Sequence, residues 1–387
     1  MSLADLSIYF NPVEVSTSEV LAEAIGAKVI LNDGNFPEVK KNSVVIFDCP
    51  EFRNYKADTT LTSSSRFRTY FYKMTTPEAW SFPIYDLGTI LPGNRVEDTY
   101  YALSAVISEL VKNNCLPILI GGSQDLMFGV YKGYQKLEQT VNITNIDSTL
   151  DIGNPDDPIS DSNYLSHILT TRPCTLFNYS IIGTQQPFIS SSDVKLIDKL
   201  YFDYCRLGEL IGDFKKAEPL IRNSDIIAFD LKSLKYLGDK CSFYDNPNGI
   251  SSEMACQISK YAGISDRSSC FAITNYFSGQ TGEQFDHLIA QVMWYFIDGY
   301  SSRYGDFPIS SLKDYLKFTV NMVDIGEEII FYKSEKSDRW WMEVPYPKKK
   351  ELDFKRHTVV PCNYEDYEQA MRNDIPNLWW KTFQKLL

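Results

Sequence analysis

Histidine is scarce: the 387 residues contain three, His167, His287 and His357, so a site built on several imidazoles would need almost all of them. Basic residues are also outnumbered, with 38 Lys and Arg against 50 Asp and Glu and a formal net charge of -12. That balance excludes the broad basic surface from which nucleic acid or anionic lipid displaces counterions. The one basic run, Lys348-Lys349-Lys350, is followed by Glu351 and Asp353 and reads as a solvated loop. No stretch approaches the roughly 18 consecutive apolar residues of a membrane span. The opening Met1-Ser2-Leu3-Ala4-Asp5 lacks the basic and apolar regions of a secretion signal, so a cytoplasmic protein with no nucleic-acid or membrane partner is expected. The eight cysteines contain no Cys-x-x-Cys pair, which argues against a zinc knuckle or a disulfide framework. Also missing are a Gly-x-Ser-x-Gly elbow, a Gly-x-Gly-x-x-Gly turn and a Walker motif.

What is present is an ordinary globular composition, 44% apolar and 23% charged, enough for a sizeable core. Short β-branched runs alternate with longer segments of helical period, the pattern of a parallel sheet covered by helices. Strands are predicted over 43–48, 116–121, 141–147, 175–183, 225–230 and 270–274. Helices are predicted over about 94–113, with Tyr101, Leu103, Val106 and Leu110 on one buried face, and over about 192–200, 249–262 and 283–298. These make one α/β domain over 41–325, preceded by an N-terminal extension, 1–40. Beyond it, 326–387 is a Trp-rich extension: a β-hairpin over 327–344 and a final amphipathic helix containing Trp379 and Trp380. Four of the six tryptophans fall after residue 339, which makes the extension a candidate surface for self-association or a protein partner.

In open α/β sheets ligands bind beyond the carboxyl ends of the strands. Three motifs stand there. Gly121-Gly122-Ser123-Gln124-Asp125 joins a strand to a helix with glycines that allow close backbone approach. Asp147-Ser148-Thr149-Leu150-Asp151 presents two carboxylates four residues apart, and Phe229-Asp230-Leu231-Lys232 adds an Asp and a Lys.

In order and context these motifs resemble those of the ureohydrolase superfamily, which contains arginase, agmatinase and formimidoylglutamase. The family's versions read Gly-Gly-Asp-His, Asp-Ala-His-x-Asp and Ser-x-Asp-x-Asp and hold two bridged Mn²⁺ ions. The resemblance implies a three-layer α/β/α arginase-like fold. Carried over position by position, the six metal ligands fall on Gln124, Asp147, Thr149, Asp151, Asp230 and Lys232, so both histidines and one carboxylate are replaced. A family glutamate that grips the substrate falls near Thr274, and a loop histidine near His167, a candidate general base.

Three carboxylates and one ammonium carry about -2 in total, close to the balance of a metal-loaded family site. Lys232 is therefore expected to neutralise the Asp cluster in place of an ion, and no metal cofactor is expected. The implied function is that of a catalytically inactive ureohydrolase-fold protein with a binding or assembly role, its degenerate site open to a small cationic ligand. The alternative is a hydrolase of linear amidines or guanidines rebuilt around one Mn or Mg ion held by Asp147, Asp151 and Asp230.

Overall fold

The computed structural model describes residues 2–14, 20–55, 66–235, 246–277, 282–308, 312–322, 326–345 and 359–387. Lys348-Lys349-Lys350, Cys241 and His357 lie outside the described residues. The main sheet contains β1 (Phe10–Asn11), β2 (Ile30–Leu31), β3 (Val44–Cys49), β4 (Ile84–Ile90), β5 (Leu116–Gly121), β6 (Val141–Ile146), β7 (Leu176–Thr184), β8 (Asp203–Arg206), β9 (Ile226–Asp230) and β10 (Cys270–Thr274). Their order is β1-β4-β3-β5-β10-β9-β6-β7-β8, with β2 also on β4, and only the β1–β4 pairing is antiparallel. The helices are α1 (Phe67–Phe71), α2 (Val96–Lys112), α3 (Leu126–Gln135), α4 (Tyr164–Thr170), α5 (Ser191–Lys199), α6 (Leu207–Gly212), α7 (Glu218–Arg222), α8 (Ser252–Ile264), α9 (Glu283–Ser301), α10 (Tyr364–Met371) and α11 (Asn377–Leu386).

Every residue of β3, β5, β6, β9 and β10 is buried, which is why β5 and β10 read as nearly continuous apolar runs, whereas β6 carries Asn142, Thr144 and Asn145 among its apolar residues. Successive side chains enter opposite cores. Val44, Ile46, Ile118 and Ile120 pack with α1, α8 and α9, whereas Val45, Phe47 and Leu119 pack with α2, α3 and α4. The result is three layers, helices on both faces of a mostly parallel sheet.

The sequence pattern does not reveal β4, because Asp86 and Gly88 interrupt its apolar run. The fully buried Asp86 is tolerated because Arg68, 1% exposed, meets both its oxygens at 2.7 and 2.8 Å and reaches Asp48 at 2.8 Å. On α2, Leu103, Val106 and Leu110 are buried as expected, but Tyr101 is 63% exposed and does not share their face. It lies under Lys136, whose ammonium sits 4.9 Å from the ring centre. Ser251 caps α8 by accepting from the Met254 amide at 3.3 Å.

The expected C-terminal hairpin belongs to a four-stranded antiparallel sheet, β11 (Tyr315–Met322), β12 (Glu327–Ser334), β13 (Trp340–Glu343) and β14 (Val359–Cys362). This sheet begins upstream of the boundary expected at 326. At the other end of the chain, β1 and β2 join the main sheet through β4. Trp340, Trp341 and Trp379 are buried, which leaves Trp380 as the exposed tryptophan of the extension. Arg222 at the end of α7 fastens the small sheet down. Its guanidinium donates to the carbonyls of Trp340 and Cys362 at 3.1 and 3.0 Å and lies 4.6 Å from the Trp341 ring centre.

Candidate functional site at the central strand ends

Strands β5, β10, β9 and β6 are neighbours, so four segments remote in sequence deliver their terminal residues to one place. Gly122 fixes the first. A Cβ there would stand 2.0 Å from the Glu51 carbonyl oxygen, so only glycine allows the loop after β3 to approach this closely. Its amide donates to Cys49 at 2.7 Å and its carbonyl accepts from the Asn275 amide at 2.6 Å. The turn that follows sends Gln124 inward, fully buried.

The Gln124 amide nitrogen donates to Asp147 Oδ2 at 2.9 Å, to Asn145 Oδ1 at 3.1 Å and to the Tyr164 hydroxyl at 3.4 Å. Its oxygen accepts from Asn275 at 3.4 Å, and these partners together set the orientation of the amide. Asp147 is fully engaged. Oδ2 also accepts from Asn145 at 2.9 Å, and Oδ1 accepts from the Thr149 amide and hydroxyl at 3.0 and 3.2 Å. Thr149 also reaches Asp151 Oδ1 at 2.8 Å, which leaves the buried Asp151 Oδ2 with no hydrogen-bond donor among the described residues. Asp151 sits at φ +48, a left-handed conformation that turns its carboxyl back toward Asp147. Asp230 Oδ1 accepts from the Lys232 amide at 2.8 Å and from Asn275 Nδ2 at 2.9 Å.

Two of these buried carboxyls, Asp151 and Asp230, hold their protons more tightly than an ordinary carboxylate. Burial, followed by the charges of Asp147 and Asp230, holds Asp151 well above the ordinary carboxylate range. Burial and then Asp147 push Asp230 up to about 8, although Lys232 and Asn275 pull the other way.

Lys232 does not do what the sequence led us to expect. Its ammonium donates to Asp161 at 2.7 Å and lies 4.3 Å from the Tyr55 ring centre, instead of forming an ion pair with Asp147, Asp151 or Asp230. The backbone turn after β9 explains the difference: Asp230 caps that turn through the Lys232 amide, and the side chain leaves toward the loop carrying Asp161. Burial lowers the affinity of this amine for its proton, but Asp230 and Asp161 more than offset that and raise it above an ordinary lysine.

The structure therefore brings Gln124, Asp147, Thr149, Asp151 and Asp230 together and turns Lys232 to one side. Thr274 is buried with its hydroxyl on the Phe229 carbonyl at 3.5 Å; the next residue, Asn275, makes the site contacts. His167 lies on α4 with its ring on the Asp157 carbonyl at 3.1 Å and edge-on to Phe128, not on the carboxylates. Sequence reasoning missed Asn145, Asp161, Tyr164 and Asn275. Asn145 had a signal, since it sits two residues before Asp147 and so on the same face of the strand. The other three depend on loops whose paths are not local.

The comparisons with known proteins agree with this fold. A model of the arginase family matches residues 57–211. Formimidoylglutamase from Rhodococcus opacus is 27% identical over 110 residues, 27% of this chain and 34% of that protein. The chain thus matches about a third of the length of such curated relatives. The structure of formimidoylglutamase from Bacillus subtilis aligns with a TM-score of 0.61 at 13% identity, covering 69% of this chain and 90% of that one. Formiminoglutamase from Trypanosoma cruzi, solved with Mn²⁺, aligns with a TM-score of 0.59 at 16% identity, covering 69% and 97%. The chain has the arginase-like fold, and the segment 57–211 is similar to the arginase family. In sequence it is similar to formimidoylglutamases over about a quarter of its length.

Proposed function

We propose that the strand-end site binds a small organic cation, an amidine, guanidine or amine, and does not hydrolyse it. The observation that carries this reading is the unpartnered Asp151 Oδ2, buried beside an Asp230 carboxyl that keeps its proton up to about 8. A cation seated there would replace those protons and satisfy the free oxygen.

The residues present do not fit the dinuclear centre that the fold family implies. Where the family has two imidazoles and a fourth carboxylate, this site has Gln124, which turns an amide N–H toward Asp147, the neutral hydroxyl of Thr149, and Lys232, whose ammonium has no lone pair to offer. Among the described residues, no three His, Cys, Asp or Glu side chains are gathered so as to hold a metal ion. Hydrolysis of an amidine at neutral pH also needs a base or an activated water, and protonated carboxyls supply neither. Formimidoylglutamase likeness favours a second reading, C–N hydrolysis of a linear amidine with one Mn ion.

Calorimetry with formamidine and methylguanidine, in buffers of different ionisation enthalpy, separates the two. Saturable binding at pH 7 with proton release, lost in Asp151→Asn and Asp230→Asn and unaccompanied by ammonia from formamidine or urea from methylguanidine, supports binding alone. Ammonia or urea release dependent on added Mn²⁺ would replace it with the enzyme reading.

A further inference from the structure

A cavity of about 290 Å³ lies where β7 and β8 end against α5. It does not share the carboxylates of the cationic site. Its apolar floor is made by Leu150, Val194 and Ile197, of which Ile197 is fully buried. Its charged lining is cationic, Lys195 and Arg206, both exposed and neither in an ion pair among the described residues. No acidic side chain lines it.

Thr184 supplies an independent sign of a missing partner. It is 2% exposed, lines the cavity, and its hydroxyl has no hydrogen-bond partner. Its position comes from an irregularity in the sheet. Gly183 sits at φ +98, and the register shift between Ile182 and Thr184 sets Thr184, rather than Gly183, opposite Arg206. An extra residue inserted in this way re-aims a side chain, and such irregularities recur beside binding sites. Here it sets Thr184 opposite Arg206 in the strand pairing, and both line the recess, with the Arg206 guanidinium 5.9 Å from the ring centre of Tyr204, another lining residue.

We infer that this cavity binds a small carboxylate with a short aliphatic body. The Arg206 guanidinium and the Thr184 hydroxyl both donate to the anion, Lys195 adds charge, and the chain lies on Leu150, Val194 and Ile197. A guanidinium takes a carboxylate with two parallel bonds, which suits this head group better than a neutral one. The volume is at the lower end for ligand cavities and suits a molecule of about six to eight heavy atoms.

Hexanoate is the probe, with hexylamine and hexan-1-ol as controls of equal chain length, titrated by calorimetry into the full chain at low salt. The expected result is saturable hexanoate binding, at least tenfold tighter than either control. Arg206→Gln and Thr184→Val should each weaken it fivefold or more while leaving the urea midpoint nearly in place, since the Thr184 hydroxyl has no hydrogen-bond partner among the described residues and the exposed Arg206 guanidinium has only a long contact with the Tyr204 ring. Asp230→Asn should leave hexanoate binding unchanged, which separates this site from the cationic one. No saturation by 20 mM, equal binding of the three probes, indifference to both cavity variants, or loss of binding in Asp230→Asn would each overturn the inference.

Discussion

Replacement of Asp230 by Asn turns the electrostatics of the site into a measurable pH dependence. The substitution keeps an oxygen for the Lys232 amide and Asn275 and removes only the titrating group. The carboxyl has an ordinary value of 3.8 and is pushed up to about 8 in the fold, chiefly by burial. Below about 3.8 both folded and unfolded chains are protonated, and the contribution to stability is complete. Between the two values the folded protein holds the extra proton, so stability falls as pH rises, by at most about 1.4 kcal/mol per pH unit. From pH 5 to pH 8 one such proton amounts to a ceiling of about 4 kcal/mol. Interaction with Asp151, which also holds its proton, broadens the transition and brings the expected figure to about 2 kcal/mol. Urea titrations followed by tryptophan fluorescence at several pH values give the stability directly. Asp151 contributes its own slope to both proteins, so the difference between them is the quantity to read. The native protein should lose about 2 kcal/mol more than Asp230→Asn across this interval. Parallel curves, within about 0.5 kcal/mol throughout, would refute the claim that this carboxyl is buried without sufficient positive charge.

Two further variants test the scaffold. Gly122→Ala forces a methyl group onto the Glu51 carbonyl, 2.0 Å from where it would stand, and should lower stability by about 3 kcal/mol or more in urea titration, because backbone cannot move aside as a side chain can. Arg222→Ala removes the donors to Trp340 and Cys362 and the cation over Trp341. It should cost about 3 kcal/mol and speed proteolytic release of the C-terminal sheet, read by gel electrophoresis and fluorescence.

Much of the fold is legible in the sequence because β3, β5, β6, β9 and β10 are buried on both faces and so are rich in apolar, β-branched residues. The same rule hides β4, whose Asp86 is acceptable only because Arg68 arrives from a helix that precedes it by 18 positions. It also hides β8, whose four residues, Asp203 to Arg206, carry a charge at each end. The candidate site divides similarly. Gln124, Asp147, Asp151 and Asp230 are recognisable because each closes or follows an apolar strand. Asn275 and Asp161 are not, because what gives them roles is the spatial neighbour, Asp230 for one and Lys232 for the other.

None of the three histidines stands where the ureohydrolase superfamily places a metal-binding imidazole, since Gln124 and Thr149 occupy those positions, and the strand-end motifs determine that carboxylates take part in the site. Which charge answers those carboxylates is a tertiary matter. The sequence places Lys232 two residues from Asp230, close enough to suggest a built-in counter-ion, yet the backbone of the turn engages Asp230 and directs the ammonium to Asp161. Chain proximity fixes how far a side chain reaches, and only the packed loops decide in which direction it points.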